Sequence, residues 1–156
     1  MFVFICRRFP VLFSLAIAAP LLAGETLLTI QTPAGAQSYD RDRLQALPQR
    51  EVVTHTSVTD GPQSFVGPLM RDLLQDAGVT GGTVLAVALN DYEIDLPVTD
   101  FARYDVIAAL EMNGIDLTPR DKGPIWIVYP RDAHRELQDI DYDYRWVWQL
   151  TRLDAR

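Results

Sequence analysis

Two cations flank an aspartate and lead directly into a glycine–proline pair in the run Arg120-Asp121-Lys122-Gly123-Pro124. The apolar stretch Ile125-Trp126-Ile127-Val128-Tyr129 follows at once, and Pro130 stops it. A charged turn of this kind can present an anion-binding rim, and the strand behind it fixes the rim to the core. Other chemistries are harder to build from this chain. Asp139-x-Asp141-x-Asp143 has the start of a calcium loop, but Tyr144 stands where the loop needs glycine and Leu150 where it needs glutamate. The acids there read as a solvated strand face. His55 and His134 lie far apart without the neighbours of a zinc site. Ser57 and Ser64 lack a nucleophile-elbow context, and no glycine-rich phosphate loop is present.

The lone cysteine, Cys6, falls in a segment with the pattern of an export signal. Arg7 and Arg8 precede an uncharged apolar run from Val11 to Ala23, which is short for a bilayer span. Ala23 is the favoured cleavage point over Ala34-Gly35-Ala36, because the later cut would delete the first strand; an uncleaved N-terminal anchor is the alternative. Cleavage at Ala23 divides the chain into a signal, 1–23, and one domain, 24–156, of about 133 residues with a single core. The formal charge then moves from −7 to about −9, which argues against nucleic acid or an anionic membrane surface as the main partner. Without Cys6 the domain has no disulfide, no thiolate ligand and no thiol nucleophile. Signal and charge together point to a bacterial periplasm.

The elements that must position any site are short and strand-rich. Thr26 to Gln31 reads as an edge strand, and Asp40 caps a short helix that Pro48 ends. Glu51 to Thr59 and Ser64 to Val66 read as strands around Asp60-Gly61-Pro62. Pro68 to Ala77 reads as a helix with Leu69, Leu73, Leu74 and Ala77 on one face and Gly78 at its end. Thr83 to Leu89 and Tyr92 to Leu96 form a hairpin, Asp100 to Arg103 one helical turn, and Asp105 to Met112 a strand that Asn113-Gly114 returns into Ile115 to Leu117. Ile125 to Tyr129 reads as a central strand. Ile140, Tyr142, Tyr144, Trp146, Trp148 and Leu150 recur at a strict two-residue period, so the C-terminal segment reads as a strand with an aromatic face, either core or a partner surface. The expected class is α+β, mainly β, with two or three short helices.

Several of these pieces form a pattern in order: Gly67-Pro68-Leu69 leading to Leu73-Leu74, Met112-Asn113-Gly114, Lys122 to Pro130, and Trp146-x-Trp148-Gln149-Leu150. Together they resemble the molybdopterin-binding domain of the sulfite-oxidase family, over roughly Thr26 to Leu153. The resemblance implies a mixed, mainly β fold with a central pterin groove. In catalytic members, the strand before the Gly-Pro-Leu helix ends in a cysteine that ligates molybdenum. Here that position falls near His55 in Thr54-His55-Thr56. Hydroxyl and imidazole are poor replacements for a soft sulfur donor, so molybdenum is not expected. Short exported members that lack the cysteine resemble periplasmic pterin-binding regulators, which partner with membrane-bound signalling proteins such as diguanylate cyclases. The resemblance therefore implies a non-catalytic pterin sensor, with a molybdopterin-dependent oxidoreductase subunit as the alternative.

A pterin needs a stacking surface and a carboxylate or amide for its edge, and a cation if it carries phosphate. Arg120, Lys122 and Gly123 supply the cationic rim, or a plain solvated turn. Asn90, Asp91 and Tyr92 sit at a strand end, where Asp91 could pair with the amino edge or simply serve the turn. Thr54, His55 and Thr56 occupy the former metal-ligand region. His55 could hydrogen-bond a ligand, although a lone strand histidine is more often structural. Trp126 reads as core first and as a ligand platform second.

Overall fold

The computed structural model describes residues 24–156; the segment read as an export signal lies outside the described residues. Strand β1 (Leu28–Thr32) buries Leu28 and Ile30 completely and turns back into β2 (Gly35–Tyr39). β1 is not an edge strand. The run Gly-Ala-Gln-Ser carries almost no strand propensity, yet β2 takes the edge through its backbone ladder and anchors it with buried Tyr39. The Tyr39 hydroxyl donates to Asp76 at 2.7 Å. Asp40 then caps α1 (Arg41–Ala46) by accepting the Arg43 N–H at 2.8 Å, and the helix ends at Leu47 before Pro48.

β3 (Gln49–Thr54) and β4 (Gln63–Pro68) pair antiparallel. β3 stops five residues short of the Thr59 expected from composition. The Thr56 hydroxyl accepts the Val58 N–H at 3.1 Å and bonds Thr59 at 2.7 Å, which gives the chain a turn in place of a ladder. Pro68 closes β4 and does not open the helix; α2 runs Met70–Asp76, with Leu73 and Leu74 fully buried and Gly78 in the left-handed region beyond its end (φ +81°).

β5 (Thr83–Ala88) and β6 (Glu93–Pro97) make the expected hairpin and lead into α3 (Val98–Arg103). The next apolar run divides into β7 (Ile107–Ala109) and β8 (Glu111–Met112), and Asn113-Gly114, both at positive φ, returns β8 into β9 (Ile115–Asp116). β10 (Trp126–Val128) pairs with β7 and is fully buried. The last strand, β11 (Leu150–Ala155), runs parallel to β1 and antiparallel to β5.

The largest sheet has the order β2-β1-β11-β5-β6, a second the order β3-β4-β8-β9, and β10-β7 lies as a short pair. Gly67 permits the close approach of β4 to β7: a Cβ there would stand 2.0 Å from the Ala108 carbonyl oxygen. The result is the mainly β, α+β class with three short α-helices among the described residues.

The C-terminal segment differs most from expectation. Arg131–Ala133, Arg135–Gln138 and Ile140–Arg145 are 3₁₀ helices, and the strand starts only at Leu150. Asp139 explains the switch. Its carboxylate accepts the Asp141 N–H at 3.0 Å, and the Tyr142 N–H bonds the Asp139 carbonyl at 3.0 Å, so the acid-rich run closes on itself locally.

Candidate ligand-binding site

Three connecting segments converge on a cleft of about 310 Å³. The turn after β3 contributes Ser57 and Val58, the tip of the β5–β6 hairpin contributes Asn90 and Tyr92, and the C-terminal segment contributes the rest. Its walls on that side are Tyr144, Trp146 and Trp148, with Asp143 as the carboxylate. Each segment is fixed by its own short-range bonds. The Thr56 hydroxyl holds the Ser57-Val58 lip. Asn90 Oδ1 accepts the Tyr92 N–H at 3.2 Å, an Asx turn that sets the hairpin tip. The Tyr92 hydroxyl then donates to the Tyr144 carbonyl at 2.9 Å and ties the tip to the 3₁₀ segment.

Behind the aromatic wall stands Trp126. It is fully buried and offers no face to solvent, so it is core and not a stacking platform. Phe65 meets its ring edge-on at 5.2 Å, while Trp146 and Trp148 lie 6.2 and 6.3 Å away. Trp126 thus sets the depth of the two tryptophans that line the cleft. Lys122 Nζ lies 5.2 Å from the Trp148 ring and 5.5 Å from Trp126, without an ion pair or hydrogen bond to a described residue. It is a cation held at the shoulder of the wall by ring faces.

The remaining expected residues are dispersed. Arg120 is exposed and outside the cleft lining. Gly123 is buried where a Cβ would meet the Leu117 carbonyl carbon at 2.4 Å, so its place is set by backbone packing. Asp91 sits at the hairpin tip with φ +60° and does not line the cleft; the carboxylate that does is Asp143. Thr54 is buried at the end of β3 and accepts the Asp132 N–H at 3.1 Å. His55 turns to solvent and pairs with Asp132, Nδ1 to Oδ2 at 2.8 Å, while its backbone N–H bonds the same oxygen at 3.0 Å. Burial alone would raise the Asp132 carboxyl, but these bonds from His55 hold it below the usual carboxylate range.

A buried network pins the 3₁₀ segment from beneath. Asp100, only 8% exposed, accepts from the Tyr129 hydroxyl at 3.1 Å and pairs with the Arg145 guanidinium. Arg145 also lies over the Tyr142 ring at 4.4 Å. Its burial works against the charge, but the hydrogen bond and charge of Asp100 outweigh that and raise its pKa. Burial, then the charge of Asp100, raises the Tyr129 phenol well above its ordinary value, so Tyr129 stays a neutral donor.

Residues 28–134 match the model of the oxidoreductase molybdopterin-binding domain. The chain belongs to this family. The crystal structure of the sulfane dehydrogenase SoxCD from Paracoccus pantotrophus shares the fold, with a TM-score of 0.62 at 19% sequence identity over 88% of this chain. The match covers 40% of that chain, so the present protein spans well under half its length. No curated protein matches the sequence.

Family membership brings a pterin-type cofactor, and the cleft can be tested for it. The donors at the end of β3 are Thr54, His55 and Thr56, with no sulfur among them, and the chain's one cysteine is Cys6. Molybdenum bound by a protein thiolate does not fit this donor set. A flat heteroaromatic ring does fit. Four aromatic side chains, Tyr92, Tyr144, Trp146 and Trp148, line the cleft.

Sequence reasoning passed over Asp143, Tyr144, Trp146 and Trp148 as site residues because it read their segment as a strand. The signal that could have found them is the local capping of Asp139, which favours a tight turn.

Proposed function

We propose that this member of the family is a non-catalytic pterin-binding protein of the periplasm, a ligand sensor acting on a membrane-bound signalling partner such as a diguanylate cyclase. One observation carries the reading: an aromatic-walled cleft of about 310 Å³ in a chain whose former metal-ligand position offers only hydroxyls and an imidazole. Binding of a planar ring by Tyr92, Tyr144, Trp146 and Trp148 needs no metal, and stacking supplies roughly 1–3 kcal/mol per aromatic contact. When bound, the pterin would supply a rigid, hydrogen-bonding ring for these side chains to close around.

Export is supported by the Arg7-Arg8 and Val11-to-Ala23 pattern. Signalling is supported by the rim. Val58, Tyr92 and Tyr144 are 45%, 39% and 60% exposed, so a partner touching the rim would sense how the cleft is filled.

Protein purified from its native compartment tests this directly. Acid–iodine oxidation should release a fluorescent pterin, and elemental analysis should find molybdenum far below stoichiometric. Stoichiometric molybdenum would turn the reading to an oxidoreductase. A preparation without any pterin, and without calorimetric binding of added pterin, would remove the sensor altogether.

A further inference from the structure

Among the described residues, Asp91, Asn113 and Gln149 hold a left-handed backbone without being glycine, at φ +60°, +53° and +54°. Asp91 and Asn113 sit in hairpin connections, and aspartate and asparagine enter this region readily. Gln149 is neither in a hairpin nor of a type that favours the region. It stands between Trp148, which lines the cleft, and Leu150, where β11 begins. Strain of this kind persists only where the surroundings over-determine it.

The surroundings of Gln149 do so through both its backbone and its side chain. Its N–H donates to the Lys122 carbonyl at 2.9 Å, and its carbonyl accepts the Leu89 N–H at 2.9 Å. Its side-chain amide donates to the Pro119 carbonyl at 2.8 Å and, more weakly, to the Asp121 carbonyl at 3.5 Å. One residue thus joins the 119–122 turn, the start of the β5–β6 tip beside Asn90, and the wall at Trp148. Lys122 reaches the same wall, with its ammonium 5.2 Å from the Trp148 ring. The side-chain chemistry is specific to the place: a glutamate would face two carbonyl oxygens with acceptors only, and an asparagine is one methylene shorter.

We propose that Gln149 is a positioning residue of the cleft: it clips the 119–122 turn to Trp148 and to the hairpin tip, and so presets the aromatic wall before a ligand arrives. This deepens the proposed pterin site and rests on it. Gln149 does not line the cleft and acts through Trp148 and Asn90, which do. A wall fixed in advance spares the ordering that binding would otherwise require, so the clip shows itself in affinity. A residue that only supported the fold would show itself in stability.

The test uses the full exported chain, a dimethylpterin as the probe, and three variants. Gln149→Gly adopts the left-handed backbone freely and loses only the side-chain clip. Gln149→Glu keeps the shape and loses the donor. Asn113→Gly is the control, with the same backbone relief and the same loss of side-chain bonds in the other sheet, outside the cleft lining. Calorimetry should show the dimethylpterin bound at least about fivefold more weakly by both Gln149 variants, the worth of about one hydrogen bond, and unchanged in Asn113→Gly. Melting temperatures of the Gln149 variants should fall no further than that of the control. Trp126 is fully buried and Trp146 only 6% exposed, so acrylamide quenching of the unliganded protein reports chiefly on half-buried Trp148, and it should rise in both Gln149 variants. Affinity within about twofold of the native value in both variants overturns the assignment and leaves the pterin reading standing. Weakened binding that comes only with a melting temperature below that of the control marks a merely structural residue and also overturns it. If the native protein does not bind the dimethylpterin, the pterin reading falls by itself. Quenching needs no ligand and then decides for Gln149: a rise supports its hold on Trp148, and native quenching overturns it.

Discussion

The Asp100–Arg145–Tyr129 network should behave as one unit when it is broken. Asp100→Ala removes the acceptor of a buried phenol and the counter-charge of a guanidinium at once. The unpaired Tyr129 hydroxyl costs about 1–2 kcal/mol. A fully buried orphan cation costs about 3–5 kcal/mol. The Arg145 side chain is 26% exposed and can turn toward water, so about 1–2 kcal/mol is the appropriate share. Asp100→Ala should therefore destabilise the fold by roughly 3 kcal/mol. Arg145→Met should cost a similar ~3 kcal/mol, because it leaves a carboxylate that is 8% exposed with only one neutral donor. The double variant should lose only about 3–4 kcal/mol, well short of additive. Urea unfolding at neutral pH, followed by tryptophan fluorescence, measures all three. Single costs below about 1 kcal/mol, or a double variant additive to within about 0.5 kcal/mol, would refute the view that these groups hold the 3₁₀ segment as a unit.

Two further outcomes follow from the same structure. Gly67→Ala should destabilise by at least about 3 kcal/mol, since its Cβ would collide with the Ala108 backbone and not with a side chain that can yield; the shift in urea midpoint measures it, and a cost under about 1 kcal/mol would contradict the close packing of β4 on β7. Stability should also form a plateau in pH. The Tyr39 hydrogen bond, chiefly, depresses the Asp76 carboxyl, and the His55 bonds depress Asp132 against its own burial. Both bind a proton more weakly folded than unfolded, so their contribution is present above the ordinary value of 3.8 and lost as pH falls through the lower folded value. Tyr39 and Tyr129 are raised, first by burial, so their contribution is present below 10.0 and lost as pH climbs past it. Calorimetric melting temperatures should fall on both sides of a plateau from about pH 5 to about pH 9, modestly on the acid side, because both carboxylates are partly exposed. A melting temperature that rises from pH 5 to pH 3 would contradict the sign.

Much of the fold was legible because local signals agreed with the tertiary answer. Asp40 and Pro48 bracket α1, Asn113-Gly114 makes its hairpin, and the Ile125-to-Tyr129 run is buried on both faces. β2 was illegible because its pairing is a backbone matter that Gly, Ala, Gln and Ser do not advertise. The site was only half legible. Asn90 and Tyr92 could be found because strand ends attract function, and both line the cleft. Its far wall could not, because alternation in Ile140, Tyr142, Tyr144, Trp146 and Trp148 carries the same letters whether the chain extends or coils. A strand would set Asp143 and Trp146 on opposite faces; here the 3₁₀ helix ends at Arg145 and both residues line the cleft.

That difference in backbone is what converts a stripe of aromatics into the wall of a cleft. An extended 139–149 segment would bury its rings against a sheet and send its acids to water. Coiled, the same residues stand over Trp126, which holds Trp146 and Trp148 at depth without reaching the cleft itself. The Asp100–Arg145 pair grips the segment from below, and Tyr92 grips it from the opposite lip through the Tyr144 carbonyl. A cleft held from two sides keeps its shape without a metal at its centre. Ligand binding here should therefore stabilise the fold in proportion to affinity, and the segment that moves least on binding is the one the core already pins.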